Sequence, residues 1–238
     1  MSYELYYWSD IPGRGEFVRL ALEEAGVAYR DVARDPKGMA EMTAMLEDES
    51  ISHPPFAPPF LVDGDMIIGQ TATILLYLGD RHSLAPKAAK GRLWVQQLQL
   101  TIADLVTEAH DTHHPISLDR YYEDQMKEAS LRAKSFREQR IPKFLGWFET
   151  ILARNPSGPH YLVGASISYA DLSLFHVVEG LSYAFPKAIK RVLRNTPHLV
   201  AHRDAVAERP RIKAYVASDR RQAFNEDDIF RHYPELDG

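Results

Sequence analysis

The sequence predicts an α/β domain followed by an all-helical domain. Short strand-like and helix-like segments alternate over residues 1–81, and beyond residue 87 most segments carry apolar residues at helical spacing. The intervening Ser-Leu-Ala-Pro at residues 83–86 is typical of a linker. We therefore place the first domain at residues 1–81 and the second at residues 87–238.

The first domain begins with an aromatic-rich strand at residues 3–8 and a helix at residues 13–25. Gly26 is suited to end that helix, because glycine adopts a positive φ without steric cost. Asp63-Gly64 between two apolar runs predicts a tight hairpin turn for the same reason. The other predicted elements are a strand at residues 27–32, hairpin strands at residues 60–62 and 66–68, and a helix at residues 70–78. Residues 37–55 are the least periodic part, where only residues 39–46 are compatible with a helix.

The second domain is predicted to contain five helices. Ser168 and Asp171 resemble a capping box, with Asp in place of the usual Glu, and mark the start of the third helix. A kink is expected at Pro142, since proline removes a helical N–H. The five helices cover residues 92–114 and 124–153 and begin at Ser168, near Pro197 and near Pro210.

Composition excludes several classes of protein. The chain is 45% hydrophobic and 26% charged, which is incompatible with wholesale disorder. Its net charge is −5 and no basic block stands apart, which argues against a nucleic-acid partner or an anionic membrane. The N-terminal residues do not resemble a secretion signal, and no apolar run is long enough for a membrane helix. We expect a soluble, cytoplasmic protein.

The chain contains no cysteine. It therefore has no disulfide, no thiolate zinc site, no CxxC redox pair and no cysteine nucleophile. If the protein performs thiol chemistry, a substrate must bring the sulfur.

Several motifs occur in a characteristic order. Tyr-Tyr-Trp-Ser-Asp-Ile-Pro-Gly-Arg occupies residues 6–14, Pro-Pro-Phe-Leu-Val-Asp-Gly residues 58–64, and Gly-Gln-Thr-Ala-Thr-Ile-Leu-Leu-Tyr-Leu residues 69–78. Tyr-Leu-Val-Gly at 161–164 precedes Ser-Tyr-Ala-Asp at 168–171. Together they resemble the cytosolic glutathione S-transferases, most closely the tyrosine-type mu, pi and sigma classes, over almost the whole chain.

The resemblance implies a thioredoxin-like first domain that binds glutathione and a helical domain that forms the pocket for an electrophile. It implies a homodimer that conjugates the glutathione thiolate to soft hydrophobic electrophiles. Glutathione is then a co-substrate, and no cofactor is bound permanently. The alternative is a non-catalytic, transferase-like binding or interaction protein. The sequence leaves the identity of the electrophile open.

By this resemblance, Tyr7 is the catalytic residue and donates its hydroxyl to the glutathione sulfur. A thiol of pKa about 8.5 is only about 3% ionised at pH 7. Lowering that pKa to about 6.5 requires about 2.7 kcal/mol, and one hydrogen bond to a charged group supplies about 1.5–3 kcal/mol. Tyr6 is the rival, but neighbouring strand residues face opposite sides of a sheet, so only one can reach the site.

The other implied glutathione contacts come from four segments. Trp8 would pack against or hydrogen-bond the peptide, and Arg14 would pair with the γ-glutamyl carboxylate. The Pro58–Pro59 bond is expected to be cis, which leaves the Pro58 carbonyl to accept from the cysteinyl amide. The remaining implied contacts are Gln70 and Thr71, which open a helix suited to a carboxylate, and Asp104, which would reach the glutathione amine across a dimer.

Two features depart from the family or stay open. Between Lys37 and Pro58 no Lys, Arg or Trp is available for the glycine carboxylate of glutathione, and His53 is the only candidate there. His110, His113 and His114 would share a helix face, but they form no complete ligand set. We expect no metal; these histidines line the electrophile pocket or lie on the surface.

Overall fold

The computed structural model describes residues 2–238 and confirms an α/β domain followed by a helical domain. The second strand covers only Tyr29–Asp31, shorter than the predicted residues 27–32, and a single 3₁₀ turn follows it at residues 32–34. A helix does form in the poorly periodic segment. The elements of the first domain are β1 (Tyr3–Tyr6), α1 (Gly15–Ala25), β2 (Tyr29–Asp31), α2 (Gly38–Glu47), β3 (Phe60–Asp63), β4 (Met66–Gly69) and α3 (Thr71–Arg81).

The four strands form one mixed sheet in the order β2-β1-β3-β4. β1 pairs with β2 in parallel and with β3 antiparallel, and β3 and β4 form an antiparallel hairpin. Asp63 pairs with Met66, so Gly64 and Asp65 make the turn and Gly64 supplies its positive φ of 65°. The predicted turn dipeptide, Asp63-Gly64, was therefore one residue too early.

The second domain contains eight helices among the described residues. Its second and third helices are nearly continuous, joined by a π-helical turn over Phe136–Arg140 just before Pro142. Proline lacks an N–H and crowds the carbonyl four residues earlier, and the wider turn relieves both. The helices are α4 (Ala89–His110), α5 (Met126–Ser135), α6 (Ile141–Arg154), α7 (Tyr169–Ala184), α8 (Pro186–Leu193), α9 (Pro197–Ala207), α10 (Pro210–Val216) and α11 (Pro234–Asp237).

The capping box at Ser168 is confirmed. The backbone N–H of Ser168 donates to Asp171 Oδ2 at 2.8 Å, and the N–H of Leu162 donates to Oδ1 at 2.8 Å. The buried carboxylate therefore fixes both the start of α7 and the segment before it. The sequence missed α8 and α11, and it extended α4 four residues too far, because the helix ends at His110.

Helix α1 lies between the sheet and the helical domain and carries buried charges. Arg19 is fully buried, and its guanidinium donates to Asp31 at 2.7 Å and to the Pro12 carbonyl at 3.1 Å. The Tyr215 hydroxyl of α10 donates to Glu16 at 3.0 Å. A buried charge is tolerated only when it is paired and hydrogen-bonded in this way. These bonds fix α1, and the loop that precedes it, against both domains.

Among residues 2–238, no helix is long and apolar enough to cross a membrane.

Candidate functional site

Tyr6 and Tyr7 lie on opposite sides of the sheet. β1 ends at Tyr6, whose ring stacks on Phe60 at 4.6 Å and packs in the small apolar cluster near α2. Tyr7 follows the strand and packs on the other side, beneath the start of α1. The strand was predicted to reach residue 8 and ends at Tyr6. The side chains of Tyr6 and Tyr7 nevertheless point to opposite faces, as in a strand. Only Tyr7 faces the region where α1 begins.

Two glycines make room for the Tyr7 ring. A Cβ on Gly13 would overlap the Tyr7 hydroxyl, and a Cβ on Gly15 would lie 2.7 Å from the ring. Gly13 also has a positive φ of 44°, which L side chains rarely adopt. Both positions therefore exclude any residue larger than glycine while Tyr7 keeps this orientation.

The Tyr7 hydroxyl oxygen accepts a hydrogen bond, whereas its proton has no acceptor among the described residues. The backbone N–H of Arg14 donates to Tyr7 Oη at 2.8 Å. Within residues 2–238 the hydroxyl proton has no acceptor, whereas Tyr6 and Tyr29 donate to carboxylates. Burial is the largest cause that raises the pKa of Tyr7 to about 12. The group is therefore a neutral hydrogen-bond donor throughout the physiological pH range.

The loop before α1 is anchored by the C-terminal segment, which we define as residues 219–233. Asn225 donates to the Asp10 carbonyl at 2.8 Å, and the Gly13 N–H donates to Asp228 Oδ1 at 2.9 Å. Gln222 also donates to the Ser9 carbonyl. Asp228 is 1% exposed, and burial raises its pKa to about 6. More than two hundred residues of chain separate the two sides of these bonds.

A cleft of about 280 Å³ lies next to this loop, between the two domains. Arg14 lines one side, Gln70 and Thr71 line another, and α4 closes the third. The structure thus brings together three of the predicted site residues. The residues contributed by α1, α3 and α4 are Phe17, Ala72, Gln99, Leu100, Ile102, Ala103, Val106 and Thr107.

Two buried polar atoms in the cleft lack a partner in the described chain, Thr71 Oγ1 and Gln99 Oε1. Gln99 is 1% exposed. A buried polar group without a hydrogen bond costs about 1–3 kcal/mol, so such groups usually have a ligand or water to bind. Gln70, just before α3, also has a positive φ of 64°, an uncommon conformation that recurs at functional sites.

The other predicted residues do not line the cleft. Tyr7 accepts a hydrogen bond from the backbone N–H of Arg14, and Trp8 is 43% exposed. The Pro58–Pro59 bond is cis, as the sequence predicted. Asp104 lies on the exposed face of α4. Their contacts with glutathione stay predictions.

His53 lies in a different groove, lined by Ile51 and by β4 residues such as Met66 and Ile68. Its Nδ1 is 3.2 Å from the Ser52 hydroxyl. This side chain is therefore no part of the cleft that Arg14 and Thr71 line.

The three histidines meet at the end of α4, but only His110 belongs to the helix. His113 and His114 follow in a turn. The prediction that the three histidines share a helix face was therefore wrong, although their rings do converge. Burial lowers the pKa of His110 to about 4 and that of His113 to about 2. All three rings are neutral near pH 7.

Neither Gln99 nor the C-terminal segment was predicted from the sequence. Gln99 lies in the middle of a long amphipathic helix, where a glutamine carries no special signal. Asn225 and Asp228 belong to a polar, acidic stretch that resembles a solvated loop. Their role depends on a contact across the whole chain, which local patterns do not report.

The fold and cleft define a class of protein, a thioredoxin-like domain joined to a helical domain with a polar site between them. A family model described as "Glutathione S-transferase, C-terminal domain" matches residues 110–219. The chain superposes on the pi-class glutathione S-transferase of Onchocerca volvulus with a TM-score of 0.69 at 23% identity. That alignment covers 90% of this chain and 92% of the other, and it shows the fold.

Curated relatives agree with the family model. A glutathione S-transferase of Plasmodium falciparum is 23% identical over 224 residues, covering 92% of this chain and 97% of the relative. Glutathione S-transferase P 1 of Xenopus laevis is 26% identical over 228 residues, covering 92% and 94%. Over most of its length this chain is therefore similar to glutathione S-transferases, and residues 110–219 match the model of that family's C-terminal domain.

Proposed function

We propose that this protein conjugates the thiolate of glutathione to soft, hydrophobic electrophiles, with the Tyr7 hydroxyl stabilising the thiolate. The observation that carries the proposal is the state of that hydroxyl. The Arg14 N–H occupies one side of Tyr7 Oη, and the proton has no acceptor within residues 2–238. A sulfur placed beside it would accept that proton as a hydrogen bond.

The raised pKa of Tyr7 supports donation rather than proton abstraction. A tyrosine with a pKa of about 12 carries its proton at every pH at which the enzyme would work. A hydrogen bond from a neutral donor to a charged acceptor contributes about 1.5–3 kcal/mol. That range includes the roughly 2.7 kcal/mol needed to lower the thiol pKa by two units.

The cleft supports binding of the γ-glutamyl end. Its α-carboxylate would meet the Thr71 hydroxyl, the backbone N–H groups at the start of α3 and the Arg14 guanidinium. Its α-ammonium would donate to Gln99 Oε1, which is buried and unpartnered in the described structure. The Thr71 hydroxyl can donate to the carboxylate, and Gln99 Oε1 can accept from the ammonium. The two unpartnered atoms therefore match the two charged groups of the γ-glutamyl end. Trp8, Pro58 and Pro59 would hold the rest of the peptide.

The apolar part of the cleft supports a hydrophobic co-substrate. Phe17, Ile102 and Val106 line it beside the polar groups. An apolar electrophile bound there would lie next to the glutathione site, as conjugation requires. We assign the protein to detoxification of such compounds in the cytoplasm, with glutathione as co-substrate and no permanently bound cofactor.

An exposed apolar stripe supports a homodimer. Leu93 and Leu100 of α4 are 73% and 51% exposed, and Asp104 continues the same helix face. Phe56, in the loop before β3, is 94% exposed. A second copy of the chain would cover these side chains and bring Asp104 toward the glutathione amine of its partner.

The test is binding to immobilised glutathione followed by turnover with a panel of aryl halide and enone electrophiles. We expect wild-type protein to bind and turn over, Tyr7→Phe to bind with reduced turnover, and Tyr6→Phe to behave as wild type. Tyr6→Phe is the matched control because the two tyrosines are adjacent, buried and on opposite faces. Binding without turnover in the wild type would instead support a non-catalytic binding protein.

A further inference from the structure

The end of α4 and the turn after it bring three imidazole rings together. One ring nitrogen each from His110, His113 and His114 lies within 4.8 Å of the others. His113 is 1% exposed, and the other two rings are partly buried. None of the three is needed for the glutathione contacts proposed above.

The C-terminal segment orients the middle ring. His113 Nε2 lies 2.9 Å from the carbonyl oxygen of Ile229. A carbonyl oxygen only accepts, so Nε2 carries the ring proton and Nδ1 keeps its lone pair. Metal-ligating histidines are held in this way, with the second ring nitrogen donating to a carbonyl or carboxylate. The Nδ1 lone pair of His113 points to His114, whose Nδ1 lies 2.6 Å away and donates to it, and a cation would take the place of that shared proton.

The spacing of the nitrogens suits a single small cation. Two imidazole nitrogens at about 2.0–2.1 Å from a tetrahedral zinc ion lie about 3.3 Å apart. The Nδ1 atoms of His113 and His114 are 2.6 Å apart, and one nitrogen of each ring lies within 4.8 Å of the others, a range that includes about 3.3 Å. A small side-chain rotation that lengthens the distance between the Nδ1 atoms of His113 and His114 by about 0.7 Å would give this pair the spacing of two zinc ligands.

We propose that His110, His113 and His114 form a binding site for one divalent cation of the zinc class. Neutral imidazoles without a carboxylate favour zinc, copper or nickel over magnesium or calcium. Three protein ligands leave a fourth position for water or an anion. The positive charges of Arg14 and Arg231 act on these rings and oppose a bare dication, so a bound cation would need hydroxide or another anion in that position.

The site joins two distant parts of the chain. His110 ends α4, one turn beyond Val106 and Thr107 of the cleft, and the Ile229 carbonyl belongs to the C-terminal segment. A bound cation would therefore lie at the edge of the cleft and fix its wall to the segment that holds the Tyr7 loop. The proposal does not depend on glutathione chemistry.

The experiment uses tag-free protein, stripped with a chelator and titrated with Zn²⁺ or Co²⁺ alone. Equilibrium dialysis should give one Zn²⁺ per chain, and Co²⁺ should develop the intense visible bands of tetrahedral coordination. His110→Ala and His114→Ala should each weaken Zn²⁺ binding by at least about 10–100-fold, the loss seen even when an outer partner is removed. His160→Ala, at an exposed histidine, is the matched control and should bind as wild type.

His113→Ala is checked by circular dichroism before it is interpreted, since this residue is buried. If it does not fold, the two partly buried positions decide the question. Binding that is unchanged in His110→Ala and His114→Ala, or that His160→Ala weakens equally, would overturn the proposal. Absence of tetrahedral Co²⁺ bands in the wild type would overturn it as well.

Discussion

The two loops of the first domain that precede α1 and β3 are held in very different ways. The loop at residues 7–14 is bound by three side chains of the C-terminal segment, Gln222, Asn225 and Asp228. In the loop at residues 48–59, the hydrogen bonds of residues 48–53 all close within the loop itself. Its tip exposes 94% of Phe56.

This difference separates two tasks that the proposed reaction requires. A group that tunes a thiol must already be in place, because a misplacement of about 1 Å costs about 100-fold in rate. The loop that carries Tyr7 is anchored accordingly, at the cost of burying Asp228. The loop before β3 is held by apolar packing, since Pro55 and Pro59 are buried, and no hydrogen bond ties its residues 48–53 to a distant segment.

The largest effect is expected at Asp228, which anchors the first loop. Burial raises the pKa of this carboxyl from 3.8 in the unfolded chain to about 6. The folded protein therefore binds the proton more tightly, and the group's contribution to stability is complete below about pH 4 and lost as the pH rises through about 6. At about 1.36 kcal/mol per pKa unit, the loss approaches about 3 kcal/mol.

Asp228→Asn cannot ionise, so its free energy of unfolding should fall less than that of the wild type between about pH 4 and pH 7. Urea denaturation at several pH values measures the difference. Asp227→Asn, at the exposed neighbouring position, serves as the control. Equal pH dependence in Asp228→Asn and the wild type would show that burial of this carboxyl carries no cost.

The next effect is on catalysis in Tyr7→Phe. With a bound thiol of pKa about 6.5, about 75% is thiolate at pH 7, against about 3% without help, so turnover should fall about 25-fold. The deficit should shrink to a few-fold near pH 9, because the unassisted thiol ionises there and Tyr7 itself stays protonated. The Michaelis constant for glutathione should change little. A loss that does not vary with pH would assign Tyr7 a different role.

A smaller effect is expected in Thr71→Val, which removes the unpartnered hydroxyl of the cleft. Loss of a hydrogen bond to a charged group costs at least about 1.5 kcal/mol, so the Michaelis constant for glutathione should rise about tenfold or more. Turnover at saturation should stay close to wild type. Thr73→Val, at an exposed position on the same helix, is the control. If both variants bind glutathione equally well, the carboxylate lies elsewhere.

The smallest effect on stability is expected in Phe56→Ala. The side chain has almost no contact within its own chain, so the free energy of unfolding of the protomer should change by less than about 0.5 kcal/mol. Sedimentation velocity should nevertheless show weaker dimerisation than in Leu118→Ala, a control at another exposed apolar residue. A monomeric wild type would contradict the proposed dimer and the proposed contact of Asp104 with the glutathione amine of the partner.

The sequence predicted those parts of the fold that depend on local signals. Gly26 ends α1 with a φ of 67°, and the capping box of Ser168 and Asp171 starts α7, as expected. Helical periodicity failed at the end of α4, where polar and histidine residues continue past the last helical turn. It also missed α8, which begins at Pro186 just after α7, although proline in the first helical turn is a helix-start signal.

The candidate site was predictable to the same extent. Motif order located Arg14, Gln70 and Thr71, and the structure places all three on one cleft. Gln99 and Asp228 were not predictable, because a buried glutamine on a helix and an acidic loop residue look ordinary until the chain has folded. Local patterns specify which elements form, whereas the contacts that hold a catalytic loop depend on residues far apart in sequence.

The most direct test of the central claim is the thiol pKa of glutathione bound to the protein, followed by the ultraviolet absorbance of the thiolate as the pH is varied. We expect a pKa of about 6.5 in the wild type and about 8.5, the value of a free thiol, in Tyr7→Phe. Tyr6→Phe should match the wild type. A bound thiol with the same pKa in Tyr7→Phe and the wild type would contradict the assignment of Tyr7 as the group that stabilises the thiolate.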